Sequence, residues 1–177
     1  DFQAFQRREV AALAKEMVTI GTGAGRKTTA IISDMDQPLG NAIGNALEVK
    51  EAIDTLKGHG PKDFSELCMT LGAHMVVAGN KAATLEEATD KLKEVISNGK
   101  ALDKLAEFIQ AQGGNPEQVY HPELLPCASL CKEILAEEEG YIYSVQCDEI
   151  GICSLILGGG RETKESIIDL SVGFILH

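Results

Sequence analysis

The chain has 177 residues, enough for one large domain or two small ones, and a chain of that size can bury roughly 70% of its unfolded surface without staples. Its net charge of -11, from 16 Lys and Arg against 27 Asp and Glu, would repel a phosphate backbone. The basic clusters are no longer than Arg7-Arg8 and Arg26-Lys27, so nucleic-acid binding is excluded from the expectations.

No apolar run approaches the ~20 residues of a membrane span. Five cysteines (Cys68, Cys127, Cys131, Cys147 and Cys153) are an odd number, and no signal peptide opens the sequence. The expectation is a cytoplasmic protein with reduced thiols and no membrane partner.

In chain order, helical periodicity runs from Val10 to Ile20 and stops at Gly21-Thr-Gly-Ala-Gly25. Thr28 to Ser33 is apolar and β-branched without clean alternation, which predicts a central parallel strand covered on both faces. Helices are predicted over Ala42–Leu56, with Gly58-His-Gly-Pro61 as the stop, and over Pro61–Ala78. The second carries Phe64, Leu67, Cys68, Leu71, Met75 and Val76 on one face. Thr84-Leu-Glu-Glu87 is a capping box that starts a helix running to Ser97, and another covers Ala101–Gln112.

From Tyr141 the runs YIYSVQ, IGICSLIL and ESIIDLSVGFILH predict short strands separated by Gly158-Gly-Gly160. The fold class expected is α/β: the C-terminal part of an α/β domain, with helices around a partial parallel sheet, over residues 1–120, then a truncated β-rich α+β domain over residues 121–177. His121-Pro-Glu-Leu-Leu-Pro126 reads as the linker.

Motifs for chemistry are sparse. GTGAGRKT departs from the phosphate-loop pattern because Arg26 separates Gly25 from Lys27, and it follows a helix instead of preceding one, so a turn is expected. Cys127 and Cys131, and Cys147 and Cys153, lack zinc spacing with a second knuckle, and buried thiols are expected. His59, His74, His121 and His177 have no accompanying nucleophile motif. Arg161 beside the glycines could hold an anion, with a hairpin connection as the blander reading.

One stretch stands apart. Asp34-Met-Asp-Gln-Pro38 lies at the carboxyl end of the expected strand, where open α/β sheets place ligands. Gly40 and Gly44 permit close backbone approach; the carbonyls of Leu39 and Ala42 and the carboxylate of Glu51 are hard oxygen donors of low total charge. Spacing alone leaves two readings open, a weak site for a hard cation or a glycine-containing helix entry with Glu48 and Glu51 as solvated charges near Lys50.

The stretch ISDMDQPLGNAIGNALEVKEAIDTLKG, with AKEMVTIG before it and NGKALDKLAEFIQAQGG, LPCA and IGICSLILGGGRETKESIIDLSVGFILH after it, closely resembles the pyrimidine-nucleoside phosphorylases of the thymidine phosphorylase family. The resemblance runs from about Ala14 onward; Asp1 to Glu9 is left unassigned. It implies a homodimeric enzyme that cleaves uridine, thymidine or deoxyuridine with phosphate, giving the base and a pentose 1-phosphate. It also implies no organic cofactor and a potassium site in which Leu39 and Ala42 bind through their carbonyls and Glu51 through its carboxylate, a site incomplete in this chain because its other ligands, a Gly and a Thr beside the phosphate loop, have no match here.

The family's phosphate-binding and pyrimidine-binding segments have no match here, so no catalytic or substrate-binding residue is assigned. The expectation is a C-terminal portion inactive by itself. The alternative is a non-enzymatic scaffold or partner module of the same fold; the anthranilate phosphoribosyltransferase relatives are a lesser rival, since they lack a C-terminal β domain.

Overall fold

The computed structural model describes residues 2–177, with side chains from Arg8 onward; Asp1 lies outside the described residues. The described chain is helix-rich with one small sheet. In order it runs α1 (Phe2–Gly23), β1 (Ala42–Ile43), α2 (Asn45–Leu56), α3 (Lys62–Ala78), α4 (Leu85–Ser97), α5 (Lys100–Ala111), α6 (Glu117–Tyr120), a 3-10 turn (Pro122–Leu124), α7 (Cys147–Ile156) and β2 (Phe174–Ile175). It divides into two compact units, Asp1–Asp34 with Cys68–Leu92, and Met35–Leu67 with Lys93–His177.

In the first unit, α1 ends at the glycine-rich stretch by paired closing bonds: Arg26 N–H donates to the Gly21 carbonyl at 3.0 Å and Gly25 N–H to Thr22 at 2.9 Å. This is the turn expected for GTGAGRKT, and Lys27 Nζ beyond it donates to Asn80 Oδ1 at 2.8 Å. The capping box holds too. Glu87 N–H donates to Thr84 Oγ1 at 3.2 Å, and the Glu87 carboxylate reaches back to Ala83 N–H at 2.9 Å. Ala73 and Ala88 are buried, while Val10, Leu13, Met17 and Ile20 of α1 are all exposed.

The strand expected over Thr28–Ser33 is not formed. A strand is a property of a pair, because its N–H and C=O groups need a neighbour's ladder, and none of the described residues supplies one.

In the second unit, Ile53 of α2 and Val119 of α6 are fully buried, and Ala46 and Ala106 are buried too. Tyr120 Oη donates to Asp103 Oδ1 at 3.0 Å, which ties α6 to α5. The sheet is the antiparallel pair β1–β2, with Ala42 opposite Ile175 and Ile43 opposite Phe174. No parallel sheet occurs among the described residues, which corrects that part of the expected fold class.

Two further expectations change. Helix α2 begins at Asn45 and not at Ala42, because Ala42 and Ile43 are engaged as β1 and Gly44 turns the chain at φ 135°. The run around Ile150–Leu157, expected as strand, is helix α7: Asp148 and Glu149 occupy its first turn, where carboxylates favour a helix start, and a short apolar run carries no decisive period. Only Phe174–Ile175 of the C-terminal runs pairs as a strand.

The cysteines are not the buried thiols expected. All five are free, with Cys147 half-buried and the others exposed; Cys127 and Cys131 lie in irregular chain. Among the described residues the hydrophobic side chains buried outright are few: Ala46, Ile53, Ala73, Ala88, Ala106 and Val119.

Candidate functional site

The turn from Leu39 to Gly44 is built almost entirely by carboxylates gripping backbone N–H groups. Gly40 N–H donates to Asp63 Oδ2 at 3.0 Å, from the first turn of α3. Asn41 N–H and Ala42 N–H both donate to Glu51 Oε1, at 2.9 and 3.0 Å. Gly44 N–H donates to Glu48 Oε1 at 3.0 Å, while Glu48 N–H closes the first helical bond onto the Gly44 carbonyl at 2.8 Å. Charge-assisted bonds of this kind are roughly twice as strong as neutral ones, so three acidic side chains fix a loop whose backbone would otherwise need water.

The C-terminal segment completes the arrangement. Ala46 N–H, one of the unpaired donors of the α2 start, donates to the Leu170 carbonyl at 3.1 Å, and Asn45 Nδ2 donates to Gly159 O at 3.1 Å. Leu176 N–H donates to the Asn41 carbonyl at 2.8 Å. The approach is so close that a Cβ on Gly44 would lie 2.4 Å from the Val172 carbonyl oxygen, and one on Gly173 would lie 2.1 Å from that of Ile43. Both positions require glycine.

Carbonyl directions follow from these bonds. Antiparallel pairs alternate between bonded and non-bonded; since Asn41 and Leu176 are bonded, Ala42 and Ile175 are the non-bonded pair. The Ala42 carbonyl therefore points away from β2, to the side where its own N–H meets Glu51. Within a planar trans peptide the carbonyl opposes the next N–H, so the Leu39 carbonyl points away from Asp63.

The three residues singled out by the sequence thus come together in one unit: Leu39 and Ala42 on the turn, Glu51 half-buried in α2 beneath it. The donors are all oxygens, two neutral and one anionic, which suits a hard cation of low charge. Glu51 Oε2 occupies space that only a glycine leaves: a Cβ on Gly40, at φ 73°, would lie 2.2 Å from it. In donor type the three residues suit part of such an ion's shell, which takes more oxygens than these three. Among the described residues no group of three or more His, Cys, Asp or Glu side chains could hold a metal, so a cation here depends on backbone oxygens.

Sequence reasoning missed Asp63 and treated Glu48 as a solvated charge. Glu48 had a signal, four residues past a glycine at a helix start; Asp63 had none, because its bond to Gly40 is purely tertiary.

Two family models match the chain. Residues 7–102 match the glycosyl transferase family, a/b domain, and residues 141–177 match the pyrimidine nucleoside phosphorylase C-terminal domain. The chain belongs to this glycosyl transferase family. The α/β class expected from the sequence holds at that level.

Among curated members of the family, the chain is 55% identical over 176 residues to the pyrimidine-nucleoside phosphorylase of Bacillus subtilis, covering 98% of this chain and 41% of the relative. It is 55% identical over 166 residues to that of Geobacillus stearothermophilus and 56% identical to that of Staphylococcus haemolyticus, each match covering 94% of this chain and 38% of the relative. The chain therefore spans about two fifths of the length of these family members. Among the described residues no helix is long and apolar enough to cross a membrane.

Proposed function

We propose that this chain is the C-terminal part of a pyrimidine-nucleoside phosphorylase, a cytoplasmic pentosyltransferase that cleaves a pyrimidine nucleoside with phosphate. The observation that carries the reading is the 55% identity over 98% of the chain, a span that includes the carboxylate-held turn. Phosphate attacks C1′, the bond to the base breaks, and base and pentose 1-phosphate leave. Such chemistry rests on positioning and electrostatics.

Within that enzyme this chain would be the α/β domain's C-terminal part over residues 1–120 and the start of the β-rich domain over residues 121–177. The two family matches leave a gap at 103–140 that contains this boundary, which supports it. Its contribution is to orient oxygens. Leu39 and Ala42 would present carbonyls and Glu51 a carboxylate to potassium. When bound, the ion would supply a fixed positive charge. Glu51 serves twice, since Oε1 already secures two N–H groups and leaves Oε2 for the ion. The active enzyme is a homodimer, and light scattering at full encoded length is expected to give twice the monomer mass.

Phosphorolysis of uridine, thymidine and deoxyuridine is the direct test. The 177-residue chain alone is expected to show no turnover, and activity is expected when the remaining length of the protein is supplied. Turnover by the chain alone would overturn the division of labour; no activity at full encoded length would favour a non-enzymatic module.

A further inference from the structure

We propose that Asp63 is a positioning residue for the cation, acting through a single peptide plane; this rests on the cation reading above. Asp63 sits in the first turn of α3, 23 residues beyond Gly40, and its Oδ2 accepts the Gly40 N–H at 3.0 Å. That N–H and the Leu39 carbonyl are the two ends of one rigid peptide unit. Holding the hydrogen end fixes the direction of the oxygen end.

Gly40 makes this hold necessary. At φ 73° without a Cβ it occupies a conformation that the peptide plane on either side could leave by rotation. The plane after it is pinned, because Asn41 N–H is held by Glu51. The plane before it, which carries the Leu39 oxygen, is pinned by Asp63.

The Ala42 oxygen is aimed differently. The plane it shares with Ile43 is set by pairing with β2, so the two carbonyls depend on two unrelated anchors. Removing Asp63 would release one ligand and leave the other in place. Glu51 would keep its bonds to Asn41 and Ala42.

A positioning role and a simple charge role for Asp63 separate cleanly. Asp63→Asn keeps an acceptor oxygen at the same reach and loses the charge. Asp63→Glu keeps the charge and moves the acceptor by one methylene. Positioning predicts affinity near that of the parent for Asn and weaker binding for Glu; charge alone predicts the reverse.

The experiment uses the protein at full encoded length. Potassium-dependent thermal shifts are measured in KCl against tetramethylammonium chloride at equal ionic strength, with thallium(I) NMR as a second, activity-free reading of the site. We expect Asp63→Ala and Asp63→Glu to weaken half-saturation by about tenfold or more, and Asp63→Asn to stay within about threefold of the parent. If Asp63→Ala does not fold, the Asn and Glu pair carries the decision. Equal half-saturation in the parent and Asp63→Glu overturns the role of Asp63 and leaves the cation reading intact. No potassium-specific shift and no thallium resonance in the parent overturns the cation reading itself.

Discussion

Two stretches close in sequence behave in opposite ways. Thr28–Ser33 has the composition of a buried strand and forms none, whereas Leu39–Gly44 has the composition of a loop and is held by four backbone bonds to three carboxylates. The difference lies in where their partners are. Asp63, Glu51, Glu48 and β2 all belong to the same unit as the turn, but the strand needs neighbours that the described residues lack. Apolar content measures the need for partners, and a structure forms where the chain supplies them.

Amide hydrogen exchange puts this contrast to its hardest test. In the 177-residue chain, Thr29 to Ile32 are expected to exchange on the order of a thousandfold faster than Ala46 and Leu176, whose N–H groups are bonded. Equal rates would remove the contrast. Supplying the remaining length of the protein should slow the first group and leave the second little changed.

Deleting the packing beneath the turn comes next. Ile53 is 0% exposed, and Ile53→Ala is expected to cost about 2–5 kcal/mol in urea unfolding. The exposed Ile32 should tolerate the same change within about 0.5 kcal/mol. Gly44→Ala should cost about 1–3 kcal/mol, since the backbone is at φ 135° and the new Cβ meets the Val172 carbonyl. Loss of the Leu176 amide protection would accompany it.

Glu51→Gln is a finer probe. Its amide oxygen can still accept N–H bonds, so stability should fall by only about 1 kcal/mol, while potassium half-saturation at full encoded length should weaken by about tenfold. An unchanged potassium response would dismiss Glu51 as a ligand.

The smallest effect concerns acid pH in the other unit. The Lys91 ammonium bonded to Glu87, with help from Ala83 N–H, holds this carboxyl below its ordinary value. Its contribution is present above the ordinary carboxylate range and is lost as pH falls through the lowered folded value. Chemical shifts at the start of α4 that report Glu87 should therefore move at a lower pH than those of a glutamate in an unstructured peptide, and Glu87→Gln should abolish that movement.

Legibility in the sequence followed the same division. Helices α2 to α5 were readable because period, caps and glycine stops are local; the capping box at Thr84 and Glu87 placed the start of α4 to within a residue. Leu39, Ala42 and Glu51 were singled out from residue types and family resemblance; Ala42 N–H is bonded to Glu51, and Leu39 lies three residues before Ala42 on the same turn. The register of Ala42 was misread as helix because β1 exists only through β2, far away in sequence. Helix α7 was misread because Ile150–Leu157 is apolar but for Ser154 and gives no period to choose by. Asp63 was invisible, since nothing local distinguishes an aspartate that bonds a distant glycine from one that faces water.

The meeting of Gly44 with Gly173 also sets an order of events. Closing a loop on the order of 130 residues costs entropy before any contact at its ends repays it, whereas each helix inside it gains its bonds locally. That contact is expected to form late, after α2 and α5 have packed. During synthesis the Ala42 carbonyl acquires its direction only once the residues around Phe174 have left the ribosome, so the turn is assembled early and aimed last.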